Sequence, residues 1–444
     1  MCNGSIMDKL ISFALPLMLS GILQLMFNAV DIVVVGRFSG SQALAAVGST
    51  TALINVFTNL FIGISLGANV LAARYYATGK TKEMSETVHT AIALALVSGV
   101  AMAVIGVVFA RGALEIMGTP DDVIAKSTLY MRIYFCGMPF FMMYNYGAAI
   151  LRAVGDTKRP LIFLIVSGVI NAVLNLFLVI GFHLDVAGVG IATVISQLVS
   201  CILVLRCLHH TESSYQLHLA KLRIRSVYLK QIFEVGVPAG IQSTVINISN
   251  AMLQSSVNSF GSIAMAGYTA ANNIFGFLYV TVNAVTQACM SFTSQNYGVG
   301  KWKRMDRVLI DCLILSFVAM MILGNSAYFF GPKLLTIYTS NSKVIQCGME
   351  ILLYTTVTYF LCGFMDLFPG ALRGMGRSGV PMILSIIGTV GTRIVWIFWI
   401  FPNHRSLDIL FISYPASWII TIVLQVICYY FVRKQLYAKM RAEA

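Results

Sequence analysis

The chain has 444 residues, of which 58% are apolar and only 11% charged, with a mean hydropathy of +0.82 and a formal net charge of +13. Soluble domains carry roughly 25% charged residues, so a chain of this balance could not cover its surface with polar atoms, and lipid must be part of its solvent. The positive charge does not point to nucleic acid, because the cations fall in alternate loops between apolar runs. Nine cysteines are scattered without CxxC or Cys/His ligand spacing, so neither a disulfide framework nor a metal site is expected. No haem, dinucleotide or phosphate-loop motif appears, so no cofactor is expected either.

Polar breaks divide the chain into twelve apolar runs, each near the roughly 20 residues that a helical span needs: 10–35, 48–73, 88–110, 128–151, 160–182, 187–208, 229–257, 267–294, 308–330, 347–371, 381–401 and 408–432. The first run is far longer than a signal-peptide core of roughly 7–15 residues and contains Asp31; it reads as a retained first helix. The longest polar connector, 209–228, falls between the sixth and seventh runs. The fold class expected is an all-α polytopic membrane protein with twelve transmembrane helices in two six-helix bundles. The domains are 1–208, the linker 209–228, 229–432 and a basic tail at 433–444.

The two halves repeat one another. Ala43-Leu44-Ala45 answers to Ala264-Met265-Ala266, Tyr76 to Lys80 answers to Tyr297 to Lys301, Leu151-Arg152 with Gly155 answers to Leu372-Arg373 with Gly376, and Pro160 answers to Pro381, all 221 positions apart. Pro16 and Pro238 are 222 apart. In so apolar a chain a period of this length means two fused helix bundles, an arrangement transporters use with the substrate path between the halves. An even number of spans per repeat makes both halves enter the membrane in the same direction, related by a pseudo-two-fold axis along the membrane normal. One set of loops, with both termini, holds 22 Lys and Arg, and the opposite loops hold six. The positive-inside rule then puts both termini and the linker of this multi-pass chain in the cytoplasm.

Asp31 is the leading candidate for chemistry. A carboxylate well inside a 26-residue apolar run costs roughly 2.5–3.5 kcal/mol on insertion scales and marks a protein interior or wet cavity by default; the alternative is a helix-end residue that snorkels or caps a neighbour. Asn171 and Asn175 are four apart and so share one helix face, either as partners of Asp31 or as interhelical hydrogen-bond glue. Asp366 is the one second-half carboxylate deep in a run, either a cation or substrate-countercharge site or the structural partner of Arg373 or Arg393. Arg132 and Arg393 lie within runs and are expected to pair with a carboxylate or a backbone carbonyl, with substrate binding as the alternative. Met26 and Phe27, among many Met and Phe residues, could line an adaptable cavity, with lipid contact or core packing as the plainer reading.

Taken in order, Asp31-Ile-Val-Val-Val-Gly36-Arg37, Ala43-Leu-Ala-Ala-Val-Gly48, the paired Leu-Arg-x-x-Gly elements before Pro160 and Pro381, and Gly188-Val-Gly-Ile-Ala-Thr193 resemble the multidrug and toxic compound extrusion (MATE) transporters. These sit in a superfamily that includes lipid-linked oligosaccharide flippases, and the resemblance covers nearly the whole chain. It implies efflux of organic, often cationic, compounds driven by inward flow of protons or sodium ions. It also implies that Asp31 couples the ion, with Asn171, Asn175 and Thr193 as partners on the fifth and sixth spans. Many members have a second Asp where this chain has Asn175, so a two-carboxylate relay and a preformed sodium cage are both weakened. Some relatives carry acidic residues in the seventh span, where this chain has Asn247 and Asn250.

The function expected is a secondary antiporter, not an enzyme. It would act as a monomer on small organic substrates in membrane lipid, with a proton or sodium ion as the coupled partner and Asp31, Asn171, Asn175 and Thr193 as the ion-coupling set. Met26, Phe27, Asn247, Asn250 and Asp366 are the candidate substrate contacts. Coupling would belong to the first bundle, the second supplying cavity wall and movement. A flippase for a lipid-linked saccharide would need a cationic cavity, a membrane enzyme clustered His, Asp or Glu at a membrane face, and a channel a filter-like re-entrant segment.

Overall fold

The computed structural model describes residues 1–443, with Ser41, Ser49, Ala52 and 439–443 described through their backbone alone. Lys439 and Arg441, counted above toward the loop charge, and Ala444 at the end of the basic tail fall outside the described side chains. Apolar segments in lipid must satisfy every backbone N–H and C=O internally, and every apolar run named above lies on helix. The order is α1 (Ile6–Phe38), α2 (Ser41–Ala77), α3 (Thr81–Ile116), α4 (Asp121–Cys136), α5 (Met138–Ala153), α6 (Lys158–Leu176) continued by a π-helical turn (Phe177–Gly181), and α7 (Asp185–His209). Then come α8 (Ser226–Asn258), α9 (Ser262–Gly298), α10 (Trp302–Phe329), α11 (Gly331–Thr336), α12 (Ser342–Thr356), α13 (Tyr359–Gly374), α14 (Gly379–Ser385), α15 (Thr392–Val395) and α16 (Leu407–Glu443). Two π-helical segments, Ile386–Gly391 and Trp396–Ile400, flank α15 and make one helical rod of 379–400.

Among the described residues nine helices are long and apolar enough to cross a membrane, and ten if α12 and α13, bent by 44° at their break, form one span. The fourth and seventh of the twelve expected spans are helical but fall short of that test. The fourth is split at Gly137 into α4 and α5, and α4 carries Asp121, Asp122, Lys126 and Arg132. The seventh, α8, carries Lys230, Glu234 and several amide and hydroxyl side chains.

The repeat is written into the backbone of the loops. Gly79 and Gly300 have φ of +66° and +70°, and Gly155 and Gly376 have +101° and +82°, a left-handed conformation that glycine adopts without a Cβ penalty. Each closes a helix with the same bond from one residue beyond: Lys80 N–H to Tyr75 O, Lys301 N–H to Asn296 O, Asp156 N–H to Leu151 O and Arg377 N–H to Leu372 O.

Two compact units result, one of Leu15–Gly240 and the other of Met1–Ala14 with the chain from Ile241 onward. The divisions fall inside α1 and α8, beside the helix-internal Pro16 and Pro238. In the N-terminal unit the core is built on Ile92, Met131, Phe135, Met138, Met142, Tyr146 and Ile150, all essentially inaccessible. Phe135 is seated directly on Gly106, where a Cβ would lie 2.0 Å from its ring. Gly63 and Gly67 on α2 meet Gly236 and Gly240 on the first half of α8 backbone to backbone, the small-xxx-small crossing of membrane helices. The linker is tied to α3 by Glu86, which accepts from both Arg223 and Arg225.

The C-terminal unit is centred on Tyr268, Phe275, Ile351, Tyr359, Phe411, Tyr414 and Trp418. The head of α1 belongs to it: Phe13 meets Phe292 edge-on at 5.6 Å, and Lys301 Nζ donates to Cys2 O at 2.9 Å and Asn3 Oδ1 at 2.7 Å. Exposed apolar rows on α3 (Val97, Val104, Val108, Phe109) and α16 (Val423, Ile427, Tyr430, Phe431) are the lipid-facing surfaces such a fold requires.

Candidate functional site

α6 is positioned by the turn at Gly155 and by Pro160, whose carbonyl accepts the Tyr144 hydroxyl at 3.1 Å. Its polar residues Asn171 and Asn175 are one turn apart and buried, 5% and 0% exposed. Asn175 Nδ2 donates to Asn171 Oδ1 at 3.1 Å and also to Asp31 Oδ1 on α1. Asn171 Nδ2 in turn reaches Thr193 Oγ1 on α7 at 3.5 Å, and that hydroxyl donates to Val189 O at 2.9 Å. The four residues form one chain across α1, α6 and α7, all within the N-terminal unit.

Asp31 is half-buried and makes no ion pair among the described residues. Its nearest electrostatic neighbours include the neutral phenols Tyr130 and Tyr134 of α4. The π-helical turn begins two residues after Asn175; such turns recur at functional sites because they break the regular ladder. The carboxylate therefore accepts from an amide, with phenols nearby and no ion-paired cation among the described residues. That arrangement lets it gain or lose one positive charge without a competing internal counter-ion.

The remaining candidates are dispersed. Phe27 lies over Gly168 of α6, where a Cβ would be 1.9 Å from its ring, so that glycine makes room for the aromatic. Met26 is 52% exposed on α1. In the C-terminal unit Asn247 is exposed and Asp366 half-buried. Asp366 has Arg373 as its charged neighbour and Tyr279 beside it, but makes no ion pair among the described residues; Arg373 instead donates to Gln242 Oε1 at 2.7 Å. Arg132 donates to the Val107 carbonyl at 3.1 Å. Among the described residues Arg393 meets neither a carboxylate nor a backbone carbonyl: it donates to Asn250 Oδ1 and Ser417 Oγ and lies over the ring of Tyr414.

Asn250 thus appears as a ligand of Arg393, a pairing that sequence spacing did not suggest. With the 221-residue offset, Asn171 answers to Thr392; with the 222-residue offset of Pro16 and Pro238 it answers to Arg393. That offset brings Arg393 onto the Asn171 position but sends Asp31 to Leu253, so neither offset points to Asn250.

The family model MatE matches the chain twice, over residues 16–177 and 238–399. The chain belongs to the MatE family. The two matches begin and end 222 residues apart, which is the repeat seen from outside the chain. MatE proteins are membrane transporters and not enzymes. The chain is 29% identical over 432 residues to a probable multidrug resistance protein, YoeA, of Bacillus subtilis, covering 95% of this chain and 93% of that one. It is 22% identical to the multidrug export protein MepA of Staphylococcus aureus, over 87% of this chain and 85% of that one. Among solved structures it matches an outward-facing multidrug resistance MATE transporter of the MOP superfamily with a TM-score of 0.89, 19% identity and coverage of 99% and 98%. A MATE structure in the bent conformation matches with a TM-score of 0.88, 19% identity and coverage of 99% and 97%. These likenesses establish the fold of this MatE protein as that of the MATE transporters.

Proposed function

We propose that this MatE protein is a secondary antiporter of the bacterial cytoplasmic membrane, with its termini in the cytoplasm, exporting amphipathic organic cations by alternating access and driven by inward proton flow through Asp31. Its two halves are taken as six-helix bundles joined by the linker 209–228. Membership of MatE and the multidrug names of YoeA and MepA support the substrate class. The observation that carries the coupling is the hydrogen-bonded chain Asp31–Asn175–Asn171–Thr193. It holds one carboxylate and otherwise only neutral groups, so one proton per cycle is what it can exchange. Neutralised, Asp31 loses its need for a polar setting, and α1 can repack; ionised, it holds the Asn175 amide.

A sodium-driven form of the same cycle has one observation in its favour: Asn175 Oδ1 is buried without a hydrogen-bond partner among the described residues, an oxygen available to a hard cation. The anionic ligand count remains one.

The test is flux in proteoliposomes. With an inward proton gradient and no sodium, tetraphenylphosphonium inside should evoke proton uptake in wild type and none in Asp31→Asn, with both proteins reconstituting equally. Substrate-dependent proton flux persisting in Asp31→Asn would remove Asp31 from the mechanism, and flux appearing only with a sodium gradient would replace the proton.

A further inference from the structure

Arg393 is a buried charge whose hydrogen-bond partners are neutral. It is 3% exposed, sits on α15 between two π-helical segments, and makes no ion pair among the described residues. Its Nη1 donates to Asn250 Oδ1 at 2.7 Å and its Nε to Ser417 Oγ at 3.3 Å. The guanidinium carbon lies 4.7 Å from the centroid of the Tyr414 ring, and the Tyr414 hydroxyl is paired with that of Tyr268 at 2.8 Å. Every one of these partners is neutral. The hydrogen bonds to these partners are made by Nη1 and Nε. A buried charge is tolerated when it is paired; here dipoles and one aromatic face supply part of the compensation, and the remaining edge of the guanidinium is the part that recognises anions in a forked geometry. Asn250 is itself partly exposed, so the site is not sealed on that side.

The repeat gives the arrangement a meaning. In the N-terminal unit the first, fifth and sixth helices of the repeat contribute carboxylate, amide and hydroxyl: Asp31, Asn175 with Asn171, and Thr193. The corresponding helices of the C-terminal unit contribute amide, guanidinium and hydroxyl: Asn250, Arg393 and Ser417. The same three-helix junction carries a titratable anion in one unit and a permanent cation in the other, since a guanidinium keeps its proton at any physiological pH.

We infer that Arg393, with Asn250, Ser417 and Tyr414, forms a binding site in the C-terminal unit for a compact monovalent anion, either chloride or the carboxylate of an organic substrate. The site extends the substrate range of the protein beyond cations and does not depend on Asp31 as the coupling residue.

The experiment uses the full-length protein in lipid nanodiscs in chloride-free buffer, titrated separately with benzoate and with chloride and followed by tryptophan fluorescence, to which Trp418, 5.8 Å from the Tyr414 ring, contributes. Wild type should give a saturable response, weakened at least tenfold in Arg393→Gln. Asn250→Asp places a carboxylate against the guanidinium, so it should also weaken anion binding at least tenfold while raising the melting temperature. Tetraphenylphosphonium binding should survive in Arg393→Gln, and benzoate binding should survive in Asp31→Asn, which separates this site from the coupling reading. A response to chloride alone assigns the site to the inorganic ion, and one to benzoate assigns it to an organic carboxylate. No saturable response of wild type to either anion overturns the inference. So does undiminished affinity in Asn250→Asp, which decides the matter even where Arg393→Gln does not fold.

Discussion

The backbone crossing of α2 on the first half of α8 gives a prediction whose size can be worked out. A Cβ on Gly63 would lie 2.3 Å from Gly240 Cα, and one on Gly67 would lie 2.1 Å from the Ile232 carbonyl oxygen. Carbon–carbon contacts settle at about 3.5–4.0 Å, so Gly63→Ala must separate the two helices by more than ~1 Å, and the opposing atoms are backbone that cannot rotate away. Overpacking costs about 1–3 kcal/mol, and a collision with main chain belongs at the upper end, near ~3 kcal/mol. For a body of this size each kcal/mol moves the melting temperature by roughly 2–4 °C, so Gly63→Ala should melt roughly 6–12 °C below wild type in detergent. Gly112→Ala is the control: nothing lies within 4 Å of its Cβ position, it is exposed on α3, and replacing helical glycine by alanine gains up to about 1 kcal/mol. Thermal unfolding read by retention on size exclusion measures both. If Gly63→Ala and Gly67→Ala melt no lower than Gly112→Ala, the close crossing does not hold this unit together.

Asn175→Asp sets a second carboxylate beside Asp31, where a shared proton is held more tightly than by either group alone. The pH profile of transport should move to higher pH, and an unchanged profile in proteoliposomes would place Asn175 outside the relay. Asp306 gathers the Tyr429 hydroxyl at 3.0 Å, the Tyr437 hydroxyl at 2.9 Å and Arg433 Nη2 at 2.7 Å, fastening the end of α16 to α10. Asp306→Ala should cost roughly 1–2 kcal/mol, discounted for the exposure of Arg433, seen as faster amide exchange over 429–437 with 407–420 unchanged. Asp31→Asn, described above, should stop substrate-linked proton flux while leaving the melting temperature within about 3 °C of wild type, since an amide can still bond Asn175.

Much of the architecture follows from the residues alone. In lipid no backbone group can go unpaired, so an apolar run of about 20 residues has helix as its open choice, and the runs locate the helices, although α2 and α3 begin well before their runs and the fourth run is broken at Gly137. The repeated Tyr-x-x-Gly-Lys and Leu-Arg-x-x-Gly elements likewise announce matched turns, because glycine at Gly79, Gly155, Gly300 and Gly376 is what lets the backbone take positive φ. Asp31 was conspicuous for the same reason in reverse: a carboxylate in an apolar run is expensive enough to demand an explanation.

Composition determined that this chain lives in a membrane, and its internal period determined that it is built twice. Which polar side chains meet was decided by tertiary structure. The bond from Asn175 to Asp31 spans 144 positions and that from Arg393 to Asn250 spans 143, and neither amide is distinguishable in sequence from one that merely glues helices. Helical rotation sets which face of α6 or α8 turns inward, and π-helical turns at 177–181, 386–391 and 396–400 shift that rotation by amounts no fixed repeat offset anticipates. A one-residue difference, 221 against 222, is about 100° of helix, and it separates Thr392 from Arg393.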